Sequence, residues 1–412
     1  SFCLDNGGRR RGKVLGGFPR HWTAVFFALC PLLFSGAASA YPWMLRHDYT
    51  VCSTCHVDPS GAGLMTLYGR AQSEVLLRTR YGEPPEDEDP SKLGGFAFGA
   101  LELPEEVLLQ GDVRASVLRV EPPSPAPAVT RFILMQADLA VGVMVDRFRA
   151  SVSLGYIREG ALGASVTHGE QDRLLSRQHW AGFTFGEGDE FMLRAGRINL
   201  PFGLRVVEHT LWARSAPRTD VNAAQQHGLA LSYSSENWRV EAMAIIGNLQ
   251  LSPPALRERG YSAYIERAIA QKAAVGLSSL ITYADHDIAA KQPVFRQAHG
   301  FFARVLPTKP VVIMAEGDLL VRSPKGHQYE IGATGMLQVD VEPVQGLHFI
   351  GTGELLSEDF KNQSASAGGW LSVHWFFLPH VDLRFDVIHR DVPAGEGRVG
   401  VTSLLGQIHG FL

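Results

Sequence analysis

Cysteine is scarce in this chain, with four residues among 412, at positions 3, 30, 52 and 55. So low a content excludes a fold held together by several disulfides. The first two cysteines lie in a stretch that has the composition of a secretory signal. Its removal would leave Cys52 and Cys55 as the only thiols of the mature protein.

Residues 1–40 contain the three parts of a signal peptide. Basic residues between positions 9 and 20 precede an apolar run at 22–34, and Ala38-Ser39-Ala40 fits the cleavage pattern. We therefore expect export and cleavage before Tyr41. The mature chain would carry 33 basic and 41 acidic residues, a net charge of −8, which argues against nucleic acid as a partner.

Long apolar runs are absent after the signal, so no membrane-spanning helix is expected. From about Val107, apolar and polar residues alternate with a period of two, as in 109–117, 331–340 and 381–387. One face of each predicted strand is apolar. The other face carries charged residues such as Asp112 and Arg384.

The connections between these strands are alternately short and long, and the strands number sixteen. Apolar-out, polar-in strands with short turns at one rim and long loops at the other are typical of an outer-membrane barrel. A 16-stranded barrel has an aqueous lumen for its inner charges, whereas a soluble sandwich would bury them unpaired. Long loops such as 199–226 and 248–259 would then be exposed outside the cell.

The predicted fold is all-β: a 16-stranded antiparallel transmembrane β-barrel over residues 107–412. A small, mostly helical or irregular haem-binding segment at 41–81 precedes it, followed by an acidic, Pro-rich linker and lead-in at 82–106. The final residues, 407–412, resemble the C-terminal strand that the outer-membrane assembly machinery recognises. Assembly machinery and outer-membrane lipid are therefore expected partners.

The stretch at 52–56 has the C-x-x-C-H spacing that attaches a c-type haem. Cys52 and Cys55 would form thioethers to the haem vinyl groups, and His56 would be the proximal iron ligand. A C-x-x-C disulfide would leave His56 unexplained, and a zinc half-site lacks a second ligand pair nearby. We predict one covalent haem c, in keeping with export because such haem is attached outside the cytoplasm.

Other candidate ligands are less sharply defined. The sixth iron ligand is expected to be His47, with Met65 as the alternative and Met44 behind it, or else an open position or a side chain from the barrel. A further set of histidines falls near the long-loop ends of strands. These residues either converge as a metal or docking site or lie singly at the interface: His179, His227, His299 and His327.

Two stretches resemble known families. Residues 43–70, which contain the C-x-x-C-H motif, resemble the monohaem segment that heads a group of outer-membrane barrel proteins of Gram-negative bacteria. Residues 194–205, RAGRINLPFGLR, resemble a strand and loop of phosphate-selective porins. Together the resemblances imply a porin-like barrel with a periplasmic haem. The nearest functional analogy is the porin–cytochrome conduits of extracellular electron transfer.

We therefore expect an electron carrier rather than an enzyme, located in the bacterial outer membrane. Its haem segment would lie on the periplasmic side or in the lumen. One haem cannot cover a hydrocarbon core of ~30 Å, so periplasmic and extracellular redox proteins are the expected partners. The alternative is a solute channel whose haem segment is a plug or a redox-sensitive gate. A peroxidase would need an open iron face and a distal acid/base pair, which the motif's neighbourhood does not supply.

Replacing both Cys52 and Cys55 by Ala should abolish covalent haem, because each thioether needs its sulfur. Mass spectrometry should show the wild-type chain from Tyr41 heavier by one haem, and haem staining after denaturing electrophoresis should vanish in the variant. Ser53→Ala, which alters the motif without touching a thiol, should keep the stain. Staining that survives the double substitution would contradict the prediction.

Overall fold

The computed structural model describes residues 42–82, 88–101, 103–156, 174–361, 364–395 and 397–412. The predicted signal peptide at 1–40 lies outside the described residues, as does most of the acidic stretch of the linker. No helix in these described ranges is long and apolar enough to cross a membrane.

Seventeen strand segments form one antiparallel sheet that closes on itself, since β1 pairs with both β2 and β17. The segments β4 and β5 both pair with β3 and make up one interrupted wall strand, so the wall has sixteen strands. This confirms the predicted fold class. The segments are β1 (Val107–Glu121), β2 (Val129–Val145), β3 (Phe148–Tyr156), β4 (Leu174–Leu175), β5 (His179–Phe185), β6 (Phe191–Ile198), β7 (Gln226–Ser234), β8 (Trp238–Gly247), β9 (Arg259–Ile269), β10 (Ala273–Ala284), β11 (Val294–Thr308), β12 (Val311–Pro324), β13 (Glu330–Val344), β14 (Leu347–Ser357), β15 (Ser366–Leu378), β16 (Val381–Ala394) and β17 (Gly397–Phe411).

The two faces of the wall differ as the alternation predicts. Along β11, Arg296, Phe302 and Arg304 are buried toward the lumen, while Phe295 and Phe301 are exposed on the outside. Many outward apolar side chains are exposed, for example Leu371 at 70% and Phe132 at 63% of their surface. An apolar outer surface of this kind suits lipid hydrocarbon and not water.

One rim, where β1 begins and β17 ends, carries the short turns, and we call it the short-turn rim. The sequence predicts short turns at Asp146 and Pro379, and the structure has turns there, between β2 and β3 and between β15 and β16. At the other rim the alternation predicts a longer loop at 391–397, and this prediction was wrong because the two strands extend into that range. There β16 continues to Ala394 and β17 begins at Gly397, with their pairing running to the end.

The expectation for the loop at 199–226 was wrong. This loop enters the lumen instead of standing outside the cell: Leu211 and Arg214 are fully buried, and the short helix Trp212–Ser215 packs against β12, β13 and β14. Its charged and amide groups find partners on the inner wall, which an exposed position would not offer. Arg214 pairs with Glu316 of β12, and the Trp212 N–H donates to Glu354 of β14 at 2.8 Å.

The N-terminal segment also lies inside the barrel. It consists of 3₁₀ turns at Pro42–His47 and Cys52–Thr54 followed by a helix at Leu67–Leu76; a short helix, Pro90–Leu93, and a 3₁₀ segment, Phe96–Gly99, lead into β1. Trp43 and Leu45 are buried in one cluster with wall residues such as Phe302 and Trp370. The lumen is therefore filled by residues 42–76 and by the inserted loop.

Trypsin added to intact cells should cleave after Lys325 and Lys361, which are exposed in connections at the long-loop rim. The peptide bonds after Arg205 and Arg214 should resist, because both side chains are buried within the lumenal loop at 199–225. Peptide mapping of the recovered outer membrane would identify the cleaved bonds.

Purified protein unfolded in denaturant is the control, since all four sites should then be cut. Tryptic cleavage of intact cells after Lys92, which is exposed in the linker and lead-in at 82–106, would show that the short-turn rim faces outward and that the predicted orientation is wrong.

Candidate functional site

The C-x-x-C-H motif forms a tight turn inside the barrel. The backbone N–H groups of Cys55 and His56 both donate to the carbonyl of Cys52, at 3.2 and 3.0 Å. Both thiols are free, so this motif is not a disulfide. The turn brings the two thiols and the following imidazole to the wall of one cavity.

The empty space of this cavity amounts to about 750 Å³, part of which is open to solvent. Residues 44–77 provide most of its lining, including Cys52, Cys55 and His56. The barrel wall adds Arg304, Phe376, His409 and Phe411, all near the short-turn rim. The site is therefore shared between the N-terminal segment and the wall.

Burial sets the protonation of the motif. It lowers the pKa of His56 to about 4, so the ring is neutral at pH 7 and has a nitrogen lone pair available to a metal. Burial, followed by the nearby Cys52, raises the pKa of Cys55 to about 11. Two thiols and a neutral imidazole around one cavity are the donor set that a c-type haem requires, so the residues fit that group.

The helix Leu67–Leu76 is packed directly on the motif. The Thr66 N–H donates to the Cys55 carbonyl at 2.9 Å, and the Thr66 hydroxyl caps the helix by accepting from the Gly69 N–H at 3.0 Å. A Cβ added to Gly69 would stand 2.8 Å from the Cα of Cys55. Only glycine allows this approach, which explains its place in the sequence.

Ion pairs attach the N-terminal segment to the barrel wall at two levels of the lumen, one at Arg46 and one at Asp58. Arg46 pairs with Asp340 of β13 and reaches Glu342 at 2.9 Å, beside Trp43, whose ring is 4.3 Å from that of His348. All of these groups are buried.

Deeper in the lumen, Asp58 pairs with Arg194, which also pairs with Glu241; Arg205 binds the same carboxylate at 2.7 Å. Arg194 and Arg205 belong to the stretch that resembles phosphate-selective porins. Because acidic partners neutralise both side chains, they do not form an open anion site here.

The predicted distal ligands lie in different places. Met65 and Met44 line the cavity, whereas His47 is not among its lining residues. The Nε2 atom of His47 instead lies 3.6 Å from the Glu342 carboxylate. His409, which the sequence argument did not single out, lines the same cavity from β17. Its inward register in the last strand is the signal that could have identified it.

The four histidines expected near the outer rim are not one group. His179 and His227 meet with their Nε2 atoms 3.0 Å apart, while His299 instead contacts Ser279 at 3.0 Å. The Leu249 N–H donates to Nδ1 of His227, so Nε2 of that ring carries its proton and donates to His179. His179 in turn contacts the Ser176 hydroxyl at 2.9 Å, which completes a chain of neutral hydrogen bonds. No cluster suited to a metal ion occurs among the described residues.

Comparisons with known proteins bear on the fold. No protein-family model matches this chain, and no curated protein matches it significantly. Solved outer-membrane proteins do resemble it, each across 74% of this chain. They include an anion-selective porin from Comamonas acidovorans (12% identity, 98% of that chain, TM-score 0.55) and a loop-deletion mutant of OmpT, an outer membrane protein of Vibrio cholerae (8%, 99%, 0.54). A third is the outer membrane channel DcaP of Acinetobacter baumannii (10%, 96%, 0.50). The chain thus has a porin-like outer-membrane barrel fold, which supports a bacterial outer-membrane location.

Replacing Gly69 by Ala should destabilise the lumenal segment by about 1–3 kcal/mol, because the new methyl must push the helix away from the Cys55 backbone. Thermal unfolding of the purified protein would measure the loss, and the fraction of chains with covalent haem should fall with it. Gly353→Ala is the matched control, since its added Cβ meets nothing within 4 Å. Equal stability of the two variants would contradict the packing described here.

Proposed function

We propose that this protein is an outer-membrane electron carrier in which a porin-like barrel holds one covalent c-type haem inside its lumen, close to the short-turn rim. The observation that carries the proposal is the shared cavity, lined by Cys52, Cys55 and His56 from the N-terminal segment and by four side chains of the wall. A bound haem would supply a one-electron couple at that place.

The chain's own groups would bind and orient the haem. Cys52 and Cys55 would hold its edge, and the neutral His56 would present its ring to the iron. Phe376 and Phe411 line the same cavity and would exclude water from it. Arg304 has its guanidinium fixed on Glu266 at 2.5 Å and on the Thr50 carbonyl at 2.8 Å, so it fastens the segment just before the motif.

The position of the cavity suits exchange with a periplasmic partner. The turn-side residues Phe376 and Phe411 belong to the last positions of β15 and β17, so the cavity is near the rim predicted to face the periplasm. Toward the other rim the lumen contains the inserted loop, with Arg214 paired to Glu316. A relay to the outside would therefore need a further redox partner at the long-loop rim.

A solute channel is the second candidate, and the porin fold of the neighbours favours it over electron relay. The packing of the lumen is what argues against an open pore. Withdrawal of residues 42–76 would separate Arg46 from Asp340 and Asp58 from Arg194, and it would expose the buried apolar side chains of Trp43 and Leu45 to water. A channel function would thus need a strong trigger for release of the segment.

The two functions predict different behaviour in one set of preparations. A membrane-impermeant reductant should reduce the haem quickly in detergent and in outer membranes opened to their periplasmic face, but slowly in intact cells. Proteoliposomes should pass small sugars hardly faster than protein-free liposomes do, because the lumen is filled. Optical spectroscopy and a liposome-swelling assay would measure the two rates.

The variant with Ala at positions 52 and 55 is the matched control: it keeps the barrel but should lose the redox signal. Rapid sugar flux through wild-type protein that still carries haem would contradict the carrier and support the channel. Turnover of peroxide at a substantial rate would instead support an enzyme.

A further inference from the structure

We propose that Met44 is the sixth ligand of the haem iron, so that the 3₁₀ turn Pro42–His47 and the C-x-x-C-H motif hold the iron from opposite sides of the cavity. This inference rests on the proposed function. It assigns the distal position to a thioether of the lumenal segment itself, although the sequence argument placed His47 and Met65 ahead of Met44.

The two histidines nearest to the motif, apart from His56 itself, are engaged elsewhere. His409 lies between two carboxylates, 2.6 Å from Asp382 and 3.2 Å from Asp112, so its ring is held as a cation without a lone pair for iron. His47 is not among the residues that line the cavity, and its Nε2 atom lies 3.6 Å from the Glu342 carboxylate. Neither ring therefore offers a free nitrogen to a haem at the motif.

Thioethers are the donors that remain. Among the described residues that line the cavity, Met44 and Met65 are the two methionines, and the Tyr49 hydroxyl is already bonded to that of Tyr68 at 2.7 Å. A thioether is neutral and has no proton to lose, so it can bind iron in a buried place. Methionine opposite histidine is an established pair of axial ligands for a c-type haem.

Geometry weighs against Met65. It pairs with His56 across an isolated antiparallel bridge, and residues that pair in this way have Cβ atoms about 4.5–5.5 Å apart on the same face. Two axial ligands must approach an iron from opposite sides. With His56 as the proximal ligand, Met65 stands beside it and not across from it.

Two apolar clusters place His56 and Met44 on different sides of the lumen. Val57, which follows His56, is buried in a cluster with wall residues mainly of β1 to β8. Met44 packs against a second cluster, in which Trp43 and Leu45 lie among wall residues mainly of β11 to β16. Both ligands line the cavity, so it is bordered by the proximal ligand on one side and by Met44 on the other.

The turn that carries Met44 is held in place. Arg46 pairs with Asp340 of β13, and the Tyr49 N–H donates to the Met44 carbonyl at 3.3 Å. The Met44 side chain is only partly buried, and methionine has three rotatable bonds. A fixed backbone with an adaptable side chain suits a ligand that must meet an iron positioned by the two thioether bonds of the motif.

The test compares Met44→Leu with Met65→Leu in the full-length protein with haem attached, because each substitution removes a thioether and keeps a side chain of similar volume. Wild-type haem should be six-coordinate and low-spin, and the reduced protein should not bind carbon monoxide. Met44→Leu should turn the spectrum high-spin and admit carbon monoxide, whereas Met65→Leu should behave as the wild type does. A wild-type spectrum in Met44→Leu, or a high-spin spectrum in Met65→Leu, would overturn the assignment.

Met44→His covers the case in which Met44→Leu does not fold, because it keeps a ligand on the same turn. Its haem should stay low-spin with a lower reduction potential, since thioether ligation favours reduced iron. An unchanged potential would overturn the proposal, and so would a wild-type protein whose reduced haem binds carbon monoxide readily. A wild-type protein that carries no haem at all would instead refute the proposed function, and mass spectrometry distinguishes that failure from the others.

Discussion

A closed barrel with a polar inner face must give its buried charges partners, and the rest of this structure depends on that requirement. Sixteen strands enclose a space wide enough for water, yet here acidic and basic groups on the wall are largely matched by groups from inside. Arg46 meets Asp340, Asp58 meets Arg194, and Arg214 of the inserted loop meets Glu316. Removing one member of such a buried pair typically costs about 3–5 kcal/mol, because the other charge is left unpaired. The lumenal segment and the loop are thus held by the polarity of the wall.

The C-x-x-C-H motif takes its environment from this arrangement. A free C-x-x-C-H peptide would be surrounded by water, and His56 would titrate near its ordinary pKa. Inside the barrel, burial lowers that pKa to about 4 and keeps the ring neutral. The helix that follows can press on the Cys55 backbone only because Gly69 has no side chain. Motif, helix and wall therefore form one packed unit, which is the condition for a cofactor site with a defined geometry.

The sequence predicts the wall well because its signal is local and repeated. The period-two alternation, the sixteen strands and most of the short turns are confirmed, since each depends on neighbours in the chain. Where the loop at 199–225 goes depends on pairs such as Arg214 with Glu316, which are 102 residues apart and have no local signature. The position of His409 could not be predicted for the same reason, because His409 and Cys52 line one cavity only once the barrel closes. For His47 the local signal was misleading. Its closeness in sequence to the motif suggested an iron ligand, but the 3₁₀ turn Pro42–His47 places its side chain beside Glu342.

The pairing of the first and last strands also completes the wall of the cavity that the C-x-x-C-H motif lines. His409 lies opposite Arg114 in the β1–β17 pairing, which joins the first and last strands and closes the sheet. Asp112 of β1 and Asp382 of β16 stand on either side of its ring, so the three groups meet only when that pairing is complete. A haem attached to residues 52–55 before closure would lack this wall of its cavity. A haem bound at the motif would therefore be fully enclosed only in a completed barrel, and an unfinished barrel would leave one side of it open to water.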